Sequence, residues 1–294
     1  MNHTHKLDIP PEWERLDLSG LSGVLMVIGA SDTGKSTFAR YLFGRMQRLD
    51  RAGRVAFLDG DPGQSSLGPP TTLTVSTHLP EDNAFPMGAG VYRYFIGATS
   101  PRGHLLPMLV GSARLAQAAF IAGAHFLVHD TSGFIDAQAG GLALLHAEID
   151  LLQPAAVFAL QRDRELEPLL LHLRRSQGTR LVVVKPTYGV QPRDMTRRRG
   201  YRQERFSRYF QESVRLEVDW SRMAVWPVPR FSLNRLVALE DRAGFTLGLG
   251  IVVDIDRSLR SVTLQTPLAS MEGVSTLHIG DLALDPLSYA DLKT

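Results

Sequence analysis

The stretch Gly29 to Ser36, G-A-S-D-T-G-K-S, constrains this chain more than any other. It fits G-x-x-x-x-G-K-[ST], a loop whose backbone N–H groups cradle the phosphates of a nucleoside triphosphate. Val24 to Ile28 before it is a short apolar run, the mark of a buried strand. From Thr37 onward apolar residues recur at helical spacing, so the loop joins a strand to a helix N-terminus. There the unpaired N–H groups and the positive end of the helix dipole attract an anion. An ordinary Gly-rich strand-to-helix turn would not account for the Lys-Ser pair. Lys35 is expected to reach the β- and γ-phosphates, and the Ser36 hydroxyl to ligate Mg²⁺.

Around this loop the sequence alternates apolar strand runs with helical patterns. Arg54 to Leu58 reads as a strand running into D-G-D-P-G-Q, Asp59 to Gln64. Two acids leaving a buried strand belong on the ligand edge of a parallel sheet, although D-P-G is also good turn chemistry. His125 to Val128 reads as another strand, ending in H-D-T-S-G-F, His129 to Phe134. Helices are expected over 106–122, 141–152 and 165–176, and strands over 155–160 and 181–184. Between Pro69 and Pro107 only Val91 to Gly97 looks like a strand, and the segment reads as an excursion over the substrate side. The fold class expected is α/β, a P-loop-type parallel sheet with helices on both faces. After Trp220 the pattern shifts to short strands with turn signals, a small all-β domain. The domains expected are an N-terminal tail over 1–20, a P-loop domain over 21–225 that includes an Arg-rich lid at about 192–211, and the β domain over 226–294.

Composition excludes several chemistries. No cysteine occurs among the 294 residues, which removes disulfides, zinc–thiolate sites and thiol catalysis. Hydrophobic residues make up 44% and charged residues 21%, enough for a full core. No apolar run approaches the roughly 18 residues of a membrane span, and the N-terminus lacks a signal-peptide core, so a cytoplasmic location and no membrane partner are expected. His3 and His5 read as part of a solvated terminus rather than a metal site. Arginine is clustered: Arg193 to Phe210 carries seven arginines against two acids, with Phe206, Tyr209 and Phe210 as an apolar stripe. That segment reads either as a lid helix closing over phosphates or as a solvated basic helix. Beside a phosphate loop the lid reading gains.

Together G-A-S-D-T-G-K-S-T, L-D-G-D-P-G-Q, H-D-T-S-G-F-I and R-Q-E-R-F-S-R-Y-F resemble the P-loop polynucleotide 5′-hydroxyl kinases. That family includes the RNA kinase of the pre-mRNA cleavage factor, the kinase of ribosomal-RNA processing, and archaeal and bacterial relatives. The resemblance spans about residues 22 to 285. It implies transfer of the γ-phosphate of ATP, or another nucleoside triphosphate, to a 5′-hydroxyl of RNA or DNA in RNA processing or nucleic-acid repair. It implies nucleotide binding by Gly29, Ala30, Ser31, Asp32, Thr33, Gly34, Lys35, Ser36 and Thr37. It makes Asp61 the general base, Asp59 with Ser36 the metal ligands, and Arg198 and Arg202 the contacts to the phosphates in transit. Gln64, Thr131, Phe134, Arg193 and Arg205 are placed on the substrate. Phe134 stands where many relatives have Trp, and about 28 residues precede the loop where eukaryotic members carry an N-terminal domain. No protein partner can be inferred from the sequence. The alternative is a nucleotide-binding ATPase or GTPase switch without an acceptor; a small-molecule kinase is disfavoured by the basic lid and the pI near 9.0.

Overall fold

The structure is a computed structural model that describes residues 9–50, 54–80, 84–176, 178–186 and 194–292. In chain order the first part comprises α1 (Pro11–Glu14), β1 (Gly23–Gly29), α2 (Lys35–Leu49), β2 (Val55–Gly60), β3 (Thr72–Ser76), β4 (Val91–Phe95), α3 (Leu105–Ile121), β5 (Phe126–Thr131), α4 (Gly141–Leu152), β6 (Ala156–Leu160), α5 (Glu167–Leu173), β7 (Arg180–Val184) and α6 (Met195–Tyr209). The second part is strand-rich: β8 (Val214–Asp219), β9 (Ala224–Trp226), β10 (Arg235–Glu240), β11 (Thr246–Asp256), β12 (Ser261–Thr266), β13 (Thr276–Leu284) and β14 (Asp291–Leu292).

Among the described residues the first sheet has seven strands in the order β4-β3-β2-β5-β1-β6-β7. Its central strands are apolar on both faces because helices cover both. Leu25 and Val27 of β1 pack with Phe38, Leu42 and Met46 of α2, whereas Met26 and Ile28 point the other way, against Leu145 and Ile149 of α4 and Leu170 of α5. Alternation along a pleated strand sends neighbouring side chains to opposite faces, so both sets must be apolar.

The sheet is mixed rather than wholly parallel. β3 pairs antiparallel with β2, and β4 antiparallel with β3. β3 reads T-L-T-V-S, three of its five residues hydroxylic, and it lies entirely buried, which hides it from an apolar-run criterion. The lead-in is also packed rather than tail-like over its described part. Trp13 is buried edge-on against Phe38, and Arg45 donates to the carbonyls of Trp13, Glu14 and Leu16.

The second sheet runs β14-β13-β10-β11-β12-β8, with β9 beside β13. Its strands begin at Val214, ahead of 226, because β8 pairs with β12 over the full length of both. The two sheets are joined at Gly97, whose carbonyl accepts from the N–H groups of Asp281 (2.9 Å) and Leu282 (3.2 Å). Gly97 has φ 79°, and a Cβ there would lie 3.0 Å from the Cα of Gly280, so glycine is required at this crossing.

Helix α6 occupies the same junction. Asp194 caps it, its carboxylate accepting from the Arg197 N–H at 2.7 Å. Phe206 and Phe210 are buried with Phe95 of β4 and with Leu236, Ala238, Leu249 and Ile251 of the second sheet. One face of the C-terminal half of the arginine-rich helix is therefore core, and its N-terminal half faces the phosphate loop. No helix among the described residues is long and apolar enough to cross a membrane.

Candidate active site

The C-terminal ends of β1, β2 and β5 meet at one edge of the sheet. In register, Asp59 of β2 lies opposite Asp130 of β5, which in turn lies opposite Val27 of β1. Ligands of open α/β sheets bind at this edge. The phosphate loop leaves β1 there. A Cβ on Gly29 would sit 2.5 Å from the Leu160 carbonyl oxygen, and Gly34 takes φ 90° to start α2. Thr33 Oγ1 and Lys35 Nζ both donate to the Ala30 carbonyl at 2.9 Å, so the loop is closed on itself. Gly133, following β5, approaches so closely that a Cβ would lie 2.4 Å from Ser31 Oγ. That contact explains the glycine of the S-G-F segment.

A cleft of about 370 Å³ is lined by Ser31, Asp32, Gly34, Lys35, Ser36, Thr37, Arg40, Asp61, Gln64, Ser66, Arg198 and Tyr201. It brings together the loop, the acid loop after β2 and the N-terminal half of α6. Asp61 Oδ1 accepts from the N–H groups of Gly63 (2.8 Å) and Gln64 (2.9 Å), which fixes the carboxylate at the mouth of β2. Gln64 donates to the carbonyls of Gly63 (2.8 Å) and Arg198 (3.5 Å), bridging the acid loop to α6. Arg198 donates to Asp32 at 2.8 Å and to Ser31 Oγ at 3.4 Å. Burial lowers the pKa of Lys35, opposed by the charges of Asp130, Asp61 and Asp32.

Several residues named from the sequence sit elsewhere. Asp59 faces its own loop: Oδ2 accepts from Ser65 Oγ, Ser66 N, Ser66 Oγ and Leu67 N, and Oδ1 from Asp61 N. Oδ2 is engaged by residues 65–67 and Oδ1 by the Asp61 N–H at 3.3 Å, so the Asp59 carboxylate acts chiefly in shaping residues 59–68. Arg202 turns away from the cleft and donates through Nε and Nη2 to Asp291 of β14, at 3.2 and 2.8 Å. Arg205 lies over the Phe85 ring at 4.1 Å and donates to the carbonyls of Ser66 and Gly68. Thr131 is buried and donates to the Val27 carbonyl at 2.8 Å, tying β5 to β1. Phe134 lies outside the cleft lining, with the Arg102 guanidinium over its ring at 6.0 Å. Arg193 falls outside the described residues.

The residue missed from the sequence is Asp130. Burial pushes its pKa up to about 7, against the opposing pull of Lys35 and of the neighbouring Ser36 hydroxyl. Its Oδ1 is buried with no hydrogen-bond partner among the described residues. A desolvated carboxylate beside the loop serine, with one oxygen unused, fits a hard divalent cation bound through oxygen. Asp130 ends an apolar strand in H-D-T-S-G-F, and the small polar Thr131 one residue later carries the same sequence signal. Arg162, after β6, donates to the Asp32 carbonyl and adds a further cation at the loop. Arg40 and Tyr201 complete the wall, Tyr201 donating to the Ser65 carbonyl at 3.0 Å.

The fold and this cleft define a nucleotide-binding protein of the P-loop class. Residues 29–212 match the family described as mRNA cleavage and polyadenylation factor CLP1 P-loop, and the chain belongs to that family. A polyribonucleotide 5′-hydroxyl-kinase of Thermococcus kodakarensis is 32% identical over 87% of this chain and 74% of its own. One from Pyrococcus abyssi is 26% identical over 87% of this chain and 86% of its own. A Clp1p chain solved in complex with Pcf11p superposes with a TM-score of 0.69, covering 92% of this chain and 77% of that one at 14% identity. That likeness extends the shared fold across both sheets.

Proposed function

We propose that this protein is an ATP-dependent polynucleotide 5′-hydroxyl kinase, transferring the γ-phosphate to the 5′-OH of RNA and/or DNA. The observation that carries the reading is that Lys35, Asp61 and Arg198, from three separate segments, line one cleft. Phosphoryl transfer asks a protein to align a nucleophile and neutralise spreading charge, with little covalent work. Lys35 would exchange the Ala30 carbonyl for the β- and γ-phosphate oxygens. Asp61, held by two backbone N–H groups, would accept the 5′-hydroxyl proton late in the transfer. Arg198 is placed to move from Asp32 to the phosphoryl group in transit. Ser36 and Asp130, rather than Asp59, are the residues that would hold Mg²⁺. When bound there, Mg²⁺ supplies charge neutralisation at the phosphate oxygens. The names of the archaeal relatives favour RNA as acceptor.

The test is γ-labelled ATP offered to 5′-hydroxyl RNA, 5′-hydroxyl DNA and free nucleosides. Labelled polynucleotide 5′ ends, absent with Lys35→Ala, are expected. Hydrolysis of ATP with no labelled acceptor would favour the nucleotide-dependent switch, and labelled nucleosides alone a small-molecule kinase.

A further inference from the structure

We propose that His146, Asp150 and His172 form a binding site for a zinc-class divalent transition-metal ion, bridging helices α4 and α5 away from the phosphate loop. One donor atom from each of the three lies within 4.8 Å of the other two, the one such convergence of three His, Asp or Glu side chains among the described residues. His146 and Asp150 sit one turn apart on α4, with Nδ1 and Oδ2 separated by 3.4 Å. The i, i+4 spacing places two donors on one helix face, the arrangement helices use to supply paired zinc ligands. His172 comes from the last turn of α5, its ring 4.7 Å from that of His146 and tilted by 54°.

A tetrahedral ion about 2.0–2.1 Å from each donor requires donors roughly 3.3 Å apart. The α4 pair already has that spacing, and rotation of the exposed His172 side chain closes the two remaining edges. The backbone beneath is rigid. Leu145 and Ile149 of α4 and Leu169, Leu170 and Leu173 of α5 belong to one buried cluster, which fixes the separation of the two ligand-bearing faces. Two imidazoles and one carboxylate select zinc, nickel, cobalt or copper over magnesium and calcium, which demand oxygen donors. Three protein ligands leave a fourth position open to water. Ion pairing alone does not account for the cluster, because an exposed His–Asp pair contributes little and gives no role to the second imidazole.

The experiment is calorimetric titration of Zn²⁺ into the full-length chain with excess Mg²⁺ present. His3 and His5 are replaced by Ala throughout, so that neither the terminus nor the phosphate site contributes. One ion per chain is expected. His146→Ala and His172→Gln should each weaken binding at least about tenfold, since losing even an outer-shell partner costs about 10–100-fold. Asp150→Asn should weaken it less. Co²⁺ in place of Zn²⁺ should give visible absorption bands that vanish in the same variants. The three residues are partly or fully exposed, so circular dichroism should show the variants folded. Zn²⁺ binding of unchanged affinity in both histidine variants, or no binding to the parent chain, would overturn the proposal.

Discussion

The Arg198 guanidinium donates to the Asp32 carboxylate at 2.8 Å, so α6 is latched to the phosphate loop by a pair whose two members both face the nucleotide cleft. Asp32 stands at positive φ, 60°, at the turn of the loop, where an acid would otherwise repel a triphosphate. Arg198 pairs with Asp32, and the phosphates of a bound nucleotide would offer it a competing anion. A planar fork suits both, whereas an ammonium is a point charge. Arg198→Ala is expected to lower the single-turnover rate by about 10³-fold or more, the scale of a lost transition-state arginine. Arg198→Lys should recover only part of it, with polynucleotide affinity little changed. Near-normal single-turnover rates for the Lys variant would remove Arg198 from the chemical step.

Arg202 gives the contrasting case. Four residues along the same helix, it is nearly buried and holds Asp291 of the last strand. Its loss should act on stability rather than on chemistry. Arg202→Ala and Asp291→Ala are each expected to cost about 1.5–3 kcal/mol, the range for a hydrogen bond to a charged group. Below the melting transition the single-turnover rate should stay near that of the parent. A rate collapse in a demonstrably folded Arg202 variant would return this residue to the phosphates.

The division between these two arginines shows which part of the site was legible. The loop, its strand and helix, and the basic segment all carry local signals, namely glycine placement, apolar periodicity and charge spacing. Spacing of four also puts Arg198 and Arg202 near one face of a helix, and sequence alone gives them one role. What separates them is the packing of Phe206 and Phe210 between two sheets, which rolls Arg202 toward β14. Asp59 and Asp130 show the same limit. Both end apolar strands, and only the register of β2 on β5 and the inward curl of residues 65–67 decide which carboxylate is left with a free oxygen. The missed β3 and β8 have different causes. Hydroxyl-rich burial hides β3, whereas V-R-L-E-V-D of β8 alternates in plain view.

The three acids should separate in a magnesium titration. Asp61→Asn is expected to lose about 10²–10⁴-fold in turnover with ATP binding retained, the usual scale for a lost general base. Asp130→Asn should raise the Mg²⁺ concentration needed for half-maximal activity. Asp59→Asn replaces an acceptor of several donors by a half-donor, so it should lower the melting temperature and loosen the acid loop. Identical Mg²⁺ dependence in the Asp59 and Asp130 variants would remove the distinction drawn between them.

Glu148 provides a test independent of catalysis. It is buried between α3 and α4, where its Oε1 accepts from Ser112 Oγ at 2.7 Å. Burial raises its pKa to about 7, outweighing the Ser112 hydrogen bond. In the unfolded chain a glutamate titrates near 4.3. Below that value both states are protonated and Glu148 contributes no pH dependence. Between about 4.3 and 7 the folded state holds a proton that the unfolded state has released, so stability falls as pH rises through this window. Above about 7 both are ionised, and the folded protein carries the full cost of a buried charge, on the order of 4 kcal/mol. Glutamine imitates the protonated form and still accepts from Ser112. Glu148→Gln should therefore match the parent at pH 4 and exceed its stability at pH 8. Denaturant unfolding at both pH values, with EDTA present so that no ion on the flanking His146 and Asp150 contributes, measures the difference directly. A variant equally or less stable than the parent at pH 8 would mean that Glu148 is ionised at little cost in the folded protein.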